Sequence, residues 1–444
     1  MTDPSSSRDP HSGTREPAIP GDAGVTDENP ESGETQPPLS SPPQAERGSA
    51  PGSPDDPRHH PAEPEAGPPR VARLGLQDFR TYAALDLPVQ RRLVALVGEN
   101  GAGKTNLLEA LSLFMPGRGL RRAELAEMAR QGGPGAFAVS IALETPYGEH
   151  RLGTGIEAPG EGRSARICRV DGATASSPAA FAEYLRVIWL TPDLDALFRG
   201  PAGDRRRFLD RLVLAVDAEH GARVNALERA LRSRNRVLEE DPDDHLWLDA
   251  IEREVAELGV AVSAARRETV ERLGALIFAT RTDASPFPFA TLALEGDLDT
   301  LVATLPAVDA EDRYRAILRD ARPRDRGAGR TLVGPQASDL LVRHGPKDIP
   351  AGTASTGEQK ALLIGLVLAH ARLVSLMSGM APLVLLDEVA AHLDPRRRAG
   401  LYDTLASLGS QVWMTGADPA VFAELAGRAD LFQVEAGRVT TAAL

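Results

Sequence analysis

Gly98-Glu99-Asn100-Gly101-Ala102-Gly103-Lys104-Thr105 reads G-x-x-x-x-G-K-[ST], the pattern of a phosphate-binding loop. Lys104 is one of only three lysines among 50 basic residues, so arginine supplies the other 47. A lysine at this point runs against the composition of the chain, and chemistry explains why. A compact ammonium on a flexible stem reaches between β- and γ-phosphates, where a planar guanidinium cannot. The flanks fit the motif. Leu93-Val94-Ala95-Leu96-Val97 reads as a buried strand leading in. Asn106 to Phe114 leads out as a helix, with Leu107, Leu108, Leu111 and Phe114 on one face.

A phosphate loop needs an acidic partner element. Pro382-Leu383-Val384-Leu385-Leu386-Asp387-Glu388 reads as an apolar strand ending in two carboxylates. Asp387 is suited to hold Mg²⁺ together with Thr105, and Glu388 to polarise the attacking water as general base. Leu393-Asp394 completes D-E-x-x-x-x-L-D, the D-loop spacing of ABC-type ATPases. Upstream, Ser355-Thr356-Gly357-Glu358-Gln359 opens an amphipathic helix, Lys360 to Leu376. Its free N–H groups make an anion site that, in such ATPases, caps the γ-phosphate held by a second subunit. The same residues also read as an N-cap, with Glu358 closing a capping box, and both readings can hold together.

Net charge is −13, but it is unevenly placed. Residues 1–69 hold 13 acidic and 4 basic side chains, leaving −4 for the remaining 375 residues. The near-neutral body is compatible with DNA binding through a local basic face. Candidate faces are Arg118, Arg121 and Arg122; Arg205, Arg206 and Arg207; Arg232, Arg234 and Arg236; and Arg322, Arg324 and Arg326, although solvated helix faces are the commoner explanation of such clusters. One cysteine, Cys168, excludes an intramolecular disulfide, and no histidine spacing suggests a metal. The apolar run Ala361 to Leu386 is broken by His370, Arg372, Gly379 and Pro382, which argues for a buried helix and strand over a membrane span. A cytoplasmic chain without a membrane partner is expected.

Residues 1–69 carry 16 of the 35 prolines and no aromatic, so a disordered tail is expected there. Either a partner-binding arm or an over-extended start codon would account for it. Residues 70–200 then read as the first part of an ATPase head, and 201–320 as an inserted helical lobe. Residues 321–444 complete the head. Within the lobe, Phe208, Leu209, Leu212 and Val213, then Leu227, Leu231 and Leu238, give a helical period that Asp241-Pro242-Asp243-Asp244 interrupts.

From about Val71 onward the chain resembles the RecF family, ATPases of recombinational gap repair whose heads are similar to those of SMC proteins. Leu76-Gln77-Asp78-Phe79-Arg80-Thr81-Tyr82 is similar to the family's L-x-x-F-R-x-Y opening, and Gly98 to Leu108 to its phosphate loop. Thr191-Pro192-Asp193-Leu194 with Gly200 to Asp210, Leu227 to Asn235, and Thr331-Leu332-Val333-Gly334-Pro335 resemble segments that distinguish it from transporters and long-armed SMC proteins. The chain departs from the family at Gln336 to Asp339, in the signature, and at Glu388, where a second Asp is common. No switch histidine follows the strand Gln411 to Met414; Thr415 and Asp418 are candidate substitutes.

The resemblance implies an α/β ABC-type (P-loop NTPase) ATPase head that takes ATP and Mg²⁺. Gly98, Glu99, Asn100, Gly101, Ala102, Gly103, Lys104, Thr105, Asn106 and Arg80 would contact ATP. Lys104, Asp387 and Glu388 would be catalytic, and Ser355 to Gln359 would act in trans. An ATP-dependent homodimer would clamp double-stranded and gapped DNA and help RecO and RecR load RecA, with a link to the SOS response. Weak DNA-stimulated hydrolysis would release it. Another SMC-like or transporter-type ATPase, or a nucleotide-gated scaffold without hydrolysis, are the alternatives.

Overall fold

The computed structural model describes residues 68–158, 165–282, 285–390 and 393–442. Apart from Pro68 and Pro69, whose carbonyls accept from Arg92, the expected N-terminal tail lies outside them.

The alternating stretch before the phosphate loop forms a hairpin, β1 (Arg70–Phe79) with β2 (Tyr82–Pro88), turning at Arg80 with φ +52°. It edges an antiparallel sheet with β4 (Phe137–Thr145), β5 (Gly148–Ile156), β6 (Arg166–Val170) and β7 (Ala173–Ala175), ordered β2-β1-β4-β5-β6-β7. A second sheet carries the chemistry. It joins β3 (Leu93–Val97), β8 (Val187–Leu190), β12 (Leu383–Leu386), β13 (Val412–Gly416), β14 (Ala429–Glu435) and β15 (Arg438–Ala442), ordered β15-β14-β3-β13-β12-β8. Every pairing in it except β14–β15 is parallel. Buried on both faces, β3, β8, β12 and β13 are entirely apolar apart from the last residues of β13, Thr415 and Gly416, which explains their unbroken hydrophobic runs. A third, short sheet, β11-β10-β9, pairs β9 (Ala290–Glu295) with β10 (Asp339–His344) and β11 (Ile349–Pro350).

The helices are α1 (Lys104–Ser112), α2 (Ala202–Val216), α3 (His220–Glu240), α4 (His245–Thr280), α5 (Asp297–Thr304), α6 (Ala307–Asp320), α7 (Arg322–Ala328), α8 (Thr356–Ser378) and α9 (Pro395–Ser407). The expected break at Asp241–Asp244 separates α3 from α4, and Asp244 caps α4 by accepting from the Trp247 N–H. At 36 residues α4 runs about 54 Å. Leu227, Leu231, Ile251, Val255, Leu298, Tyr314 and Leu318 form a lobe core separate from that of the sheets.

The helix after the signature reads in the sequence both as amphipathic and, over its apolar run, as buried. The structure bears out the second: α8 buries Ala361 to Ile364, Leu366 to Leu368, His370, Ala371, Leu373 and Val374, so most of its faces meet protein. It is long and apolar enough to cross a membrane, and most of that window is buried inside the fold. His370 Nε2 donates to Leu212 O (2.9 Å), and burial pushes its pKa down to about 4.

Candidate nucleotide site

Because β3 and β12 run parallel with β13 between them, the loop after β3 and the acids after β12 emerge at the same sheet edge. Gly103 takes φ +113° and packs on the hairpin. A β-carbon there would lie 2.9 Å from Tyr82 Oη, which donates to Gly103 O (3.0 Å). Only glycine combines that backbone angle with that contact. Glu99, Asn100 and Gly101 are exposed at the loop tip, and Ala102 half-buried. Lys104 is buried, and its Nζ donates to Gly98 O (2.7 Å) and Glu99 O (2.9 Å).

The Thr105 hydroxyl donates to both Asp387 oxygens, at 3.0 and 3.1 Å. Thr415, one strand over, donates to Asp387 Oδ1 (2.7 Å) and accepts the Glu388 N–H (2.8 Å). Of the two candidate switch substitutes, Thr415 therefore lies at the acids, whereas Asp418 caps a short helical turn through the Ala420 N–H. Glu388 sits at φ +54°, a left-handed conformation that costs a non-glycine residue about 1 kcal/mol or more. The Thr415 bond holds it there, half-buried. Burial pushes the Asp387 carboxyl above its ordinary pKa and the Glu388 charge adds to this, while the bonds from Thr415 and Thr105 oppose it.

The donor set suits Mg²⁺: a hydroxyl and a carboxylate in contact, both hard oxygens. Thr191, next after the Leu190 that pairs with Leu386, adds a buried hydroxyl without a hydrogen-bond partner among the described residues. Asn106, nearly buried, donates to Thr81 Oγ1 (3.0 Å) and accepts from Arg121 (2.7 Å). Arg80 is committed behind the loop. Its Nε and Nη2 hold the fully buried Glu109 at 2.8 and 2.6 Å, and its Nη1 donates to Glu127 O. Nothing in the sequence marked Glu109 as the counter-ion of Arg80, because 29 residues separate them.

At the signature, Ser355 caps α8, and the capping box is complete. The Ser355 N–H and hydroxyl donate to Glu358 Oε2 at 3.0 and 2.9 Å, and Lys347 Nζ donates to Glu358 Oε1 at 2.5 Å. Lys347, then Ser355, hold the Glu358 carboxyl down at about 2. Thr356 and Gly357 are exposed, and a β-carbon on Gly357 would lie 3.9 Å from Arg397 Nη1, which places the signature beside α9. Asp394 caps α9 through the Arg397 N–H (3.0 Å). Gln359 points inward. It donates to Gly352 O and Ala354 O and accepts from Arg199 Nε (3.1 Å). With Lys360 on Asp195 (3.1 Å), this ties the start of α8 to the segment after β8. No hydrogen bond among the described residues joins the signature to the phosphate loop.

Of the clustered arginines, Arg205, Arg206, Arg234 and Arg322 are engaged within the fold, whereas Arg118, Arg121, Arg122, Arg207, Arg232, Arg236, Arg324 and Arg326 are exposed. Arg205 grips Asp339 (2.7 and 2.6 Å), Arg206 donates to Ser338 O, and Arg207 pairs with Asp204. Arg234 is fully buried on Glu252, Asp325, Thr331 and Leu318 O. Arg322 holds Glu252 and Asp249. The two segments Leu227–Asn235 and Thr331–Pro335 meet here, since Thr331 also donates to Asn235 (2.8 Å). Asp210 meets Arg266, which reaches Pro335 O. These segments are therefore the joints of the lobe. A cavity of about 630 Å³ behind α8, lined by Phe287, Phe289, Leu366 and Arg372, includes none of the nucleotide-site residues.

This parallel sheet with its phosphate loop, paired acids and helix-capping signature defines an ABC-type ATPase head, and a family model for the RecF/RecN/SMC N-terminal domain matches residues 70–440. A protein of Mesorhizobium japonicum named DNA replication and repair protein RecF is 55% identical over 369 residues, 83% of this chain and 97% of its own length. Its namesake in Rhizobium meliloti is 53% identical over 370 residues, covering 83% and 98%. The chain belongs to the RecF family of DNA replication and repair proteins. The fold is similar to that of the solved recombination mediator protein RecF-ATPrS of the RecFOR pathway, with a TM-score of 0.74, 19% identity, and 85% and 99% of the two chains covered. A RecF-ATP structure gives 0.71, covering 85% and 100%.

Proposed function

We propose that two copies of this chain close around two ATP molecules and clamp double-stranded or gapped DNA, and that slow, weakly DNA-stimulated hydrolysis releases it. The observation that carries the reading is the division of the site. Lys104, Thr105, Asp387 and Glu388 gather at one sheet edge, while the exposed signature, Ser355 to Gly357, has no bond to them. Such a half-site is completed by the signature of a second copy.

Lys104 exchanges its two loop carbonyls for β- and γ-phosphate oxygens, joined by loop amides from Gly98 to Asn106. Thr105 and Asp387 would hold a Mg²⁺, which when bound would neutralise charge on the terminal phosphates. Arg80 contributes the N–H groups that Glu109 and Glu127 O leave unused. Glu388 takes a proton from the attacking water as its oxygen bonds to the γ-phosphorus and the bond to ADP breaks. Ser355 and Gly357 cap that phosphate from the partner, with Thr356, Glu358 and Gln359 shaping the helix start and Asp394 lying at the same face. A cytoplasmic, nucleoid-associated protein that works with RecO and RecR to load RecA, with a link to the SOS response, fits the family name.

Retention on duplex, gapped and single-stranded DNA, with and without ATP and across salt, tests the reading. ATP-dependent, salt-sensitive retention on duplex or gapped DNA supports it, and ATP-independent binding contradicts it. Turnover separates the alternative scaffold, which would bind ATP and hydrolyse none. Lys104→Ala should lose ATP, whereas Glu388→Gln should hold it and accumulate as dimer.

A further inference from the structure

We infer that Lys347 is the charge-balancing residue of the signature, neutralising Glu358 so that the start of α8 can accept the anionic terminal phosphate of a nucleotide bound to a second copy. This rests on the trans reading above and specifies how that site tolerates its own acid.

A helix start that receives a phosphate is poorly served by a carboxylate in its first turn, since two anions would share the same N–H groups. Here that carboxylate is Glu358, and its low pKa keeps it ionised at any physiological pH. Lys347 answers it from another element, the short turn Gly345–Lys347 after β10. The turn is fixed. A β-carbon on Gly345 would lie 2.0 Å from the Phe289 ring, and the Gly345 N–H donates to Phe289 O (2.9 Å). The neighbouring charges are otherwise paired, Arg343 with Asp348 and Arg397 with Asp394. Lys347 is therefore the cation directed at Glu358.

Composition points the same way. All three lysines of this arginine-rich chain lie at the composite site: Lys104 in the loop, and Lys347 and Lys360 beside the signature. At Lys347 a compact ammonium takes Glu358 Oε1 alone, where a bidentate fork would compete with Ser355 for Glu358 Oε2. The Ser355 hydroxyl now donates to Glu358 Oε2 (2.9 Å). To donate to a phosphate it must turn away, and Lys347 keeps the abandoned carboxylate satisfied.

The test uses the full chain with ATPγS and Mg²⁺, reading dimer dissociation by sedimentation and nucleotide affinity separately. Lys347→Ala should weaken the dimer about tenfold or more while nucleotide affinity and melting temperature hold. The double variant Lys347→Ala/Glu358→Gln should return to within about threefold of the parent, because glutamine preserves the capping box without the charge. Parent-like dimerisation of Lys347→Ala, or no recovery in the double variant, overturns the inference. If the parent chain itself stays monomeric with ATPγS, the trans reading has failed and the inference falls with it. Loss of the dimer in Lys104→Ala confirms that the parent dimer depends on nucleotide.

Discussion

Replacing Thr415 by valine probes the hinge on which the two acids turn. Thr415 is buried, so valine fills the same space and removes only the hydroxyl. That hydroxyl makes two bonds, to the Asp387 carboxylate at 2.7 Å and from the Glu388 N–H at 2.8 Å. A bond to a charged group contributes about 1.5–3 kcal/mol, and the second restrains a residue whose left-handed backbone costs about 1 kcal/mol or more. Freed from Thr415, Glu388 relaxes and its carboxylate leaves the position of the attacking water. A displacement near 1 Å lowers turnover roughly 100-fold, so kcat should fall about 10- to 100-fold. Nucleotide affinity should stay within about threefold, because no bond joins Thr415 to Lys104. The acid limb of activity should move to higher pH. Thr415 lowers the raised pKa of Asp387, and without it the ionised carboxylate forms only at higher pH still. Steady-state phosphate release across pH, with nucleotide titration, reads both effects, and Thr415→Ser should stay near the parent. Parent-like turnover in the valine variant, or an equal loss of nucleotide affinity, would refute the reasoning.

Arg234→Ala leaves Asp325 buried without its close cation, and Glu252 with Arg322 alone, and should cost about 3–5 kcal/mol in denaturant unfolding, far more than Arg236→Ala on the same helix. His370 is neutral in the fold, with a pKa near 4 against an ordinary 6.5. Its stability contribution is complete above pH 6.5 and is lost as pH falls toward 4, by about 3 kcal/mol, because the unfolded chain takes up the proton first. His370→Gln should flatten that slope in unfolding measured between pH 7 and 4. Arg199→Ala removes the donor to the Gln359 side-chain oxygen and should weaken ATP-dependent dimerisation about three- to tenfold with monomer nucleotide affinity unchanged, measured by sedimentation with ATPγS.

The phosphate loop, the acid pair and the signature were legible because each is a local pattern: a glycine run before Lys104, an apolar strand before Asp387, a capping box at Ser355. The hairpin at Arg80 and the break at Asp241 were legible for the same reason. Contacts between distant segments were not. Within the arginine clusters some members are ties inside the fold, and sequence shows that Arg234 is charged but not that Glu252 and Asp325 meet it. The burial of α8 was legible in its apolar run, and only its amphipathic reading failed, because polar residues such as His370 find partners inside. The pairing of Lys347 with Glu358 had a faint signal in the rarity of lysine, and it became visible only once β10 and α8 were placed.

The central claim is that each site is built from two copies, and mixing two inactive variants tests it most directly. Lys104→Ala lacks a working phosphate loop, and Ser355→Arg blocks the signature. Apart, neither should hydrolyse ATP. Mixed, they form a heterodimer with one intact composite site, the loop from one chain and the signature from the other. Phosphate release should reappear in the mixture, up to about a quarter of the parent rate at equal amounts if the two sites of a dimer turn over independently. A mixture as inactive as its components, in which sedimentation nonetheless shows heterodimers, would contradict the account.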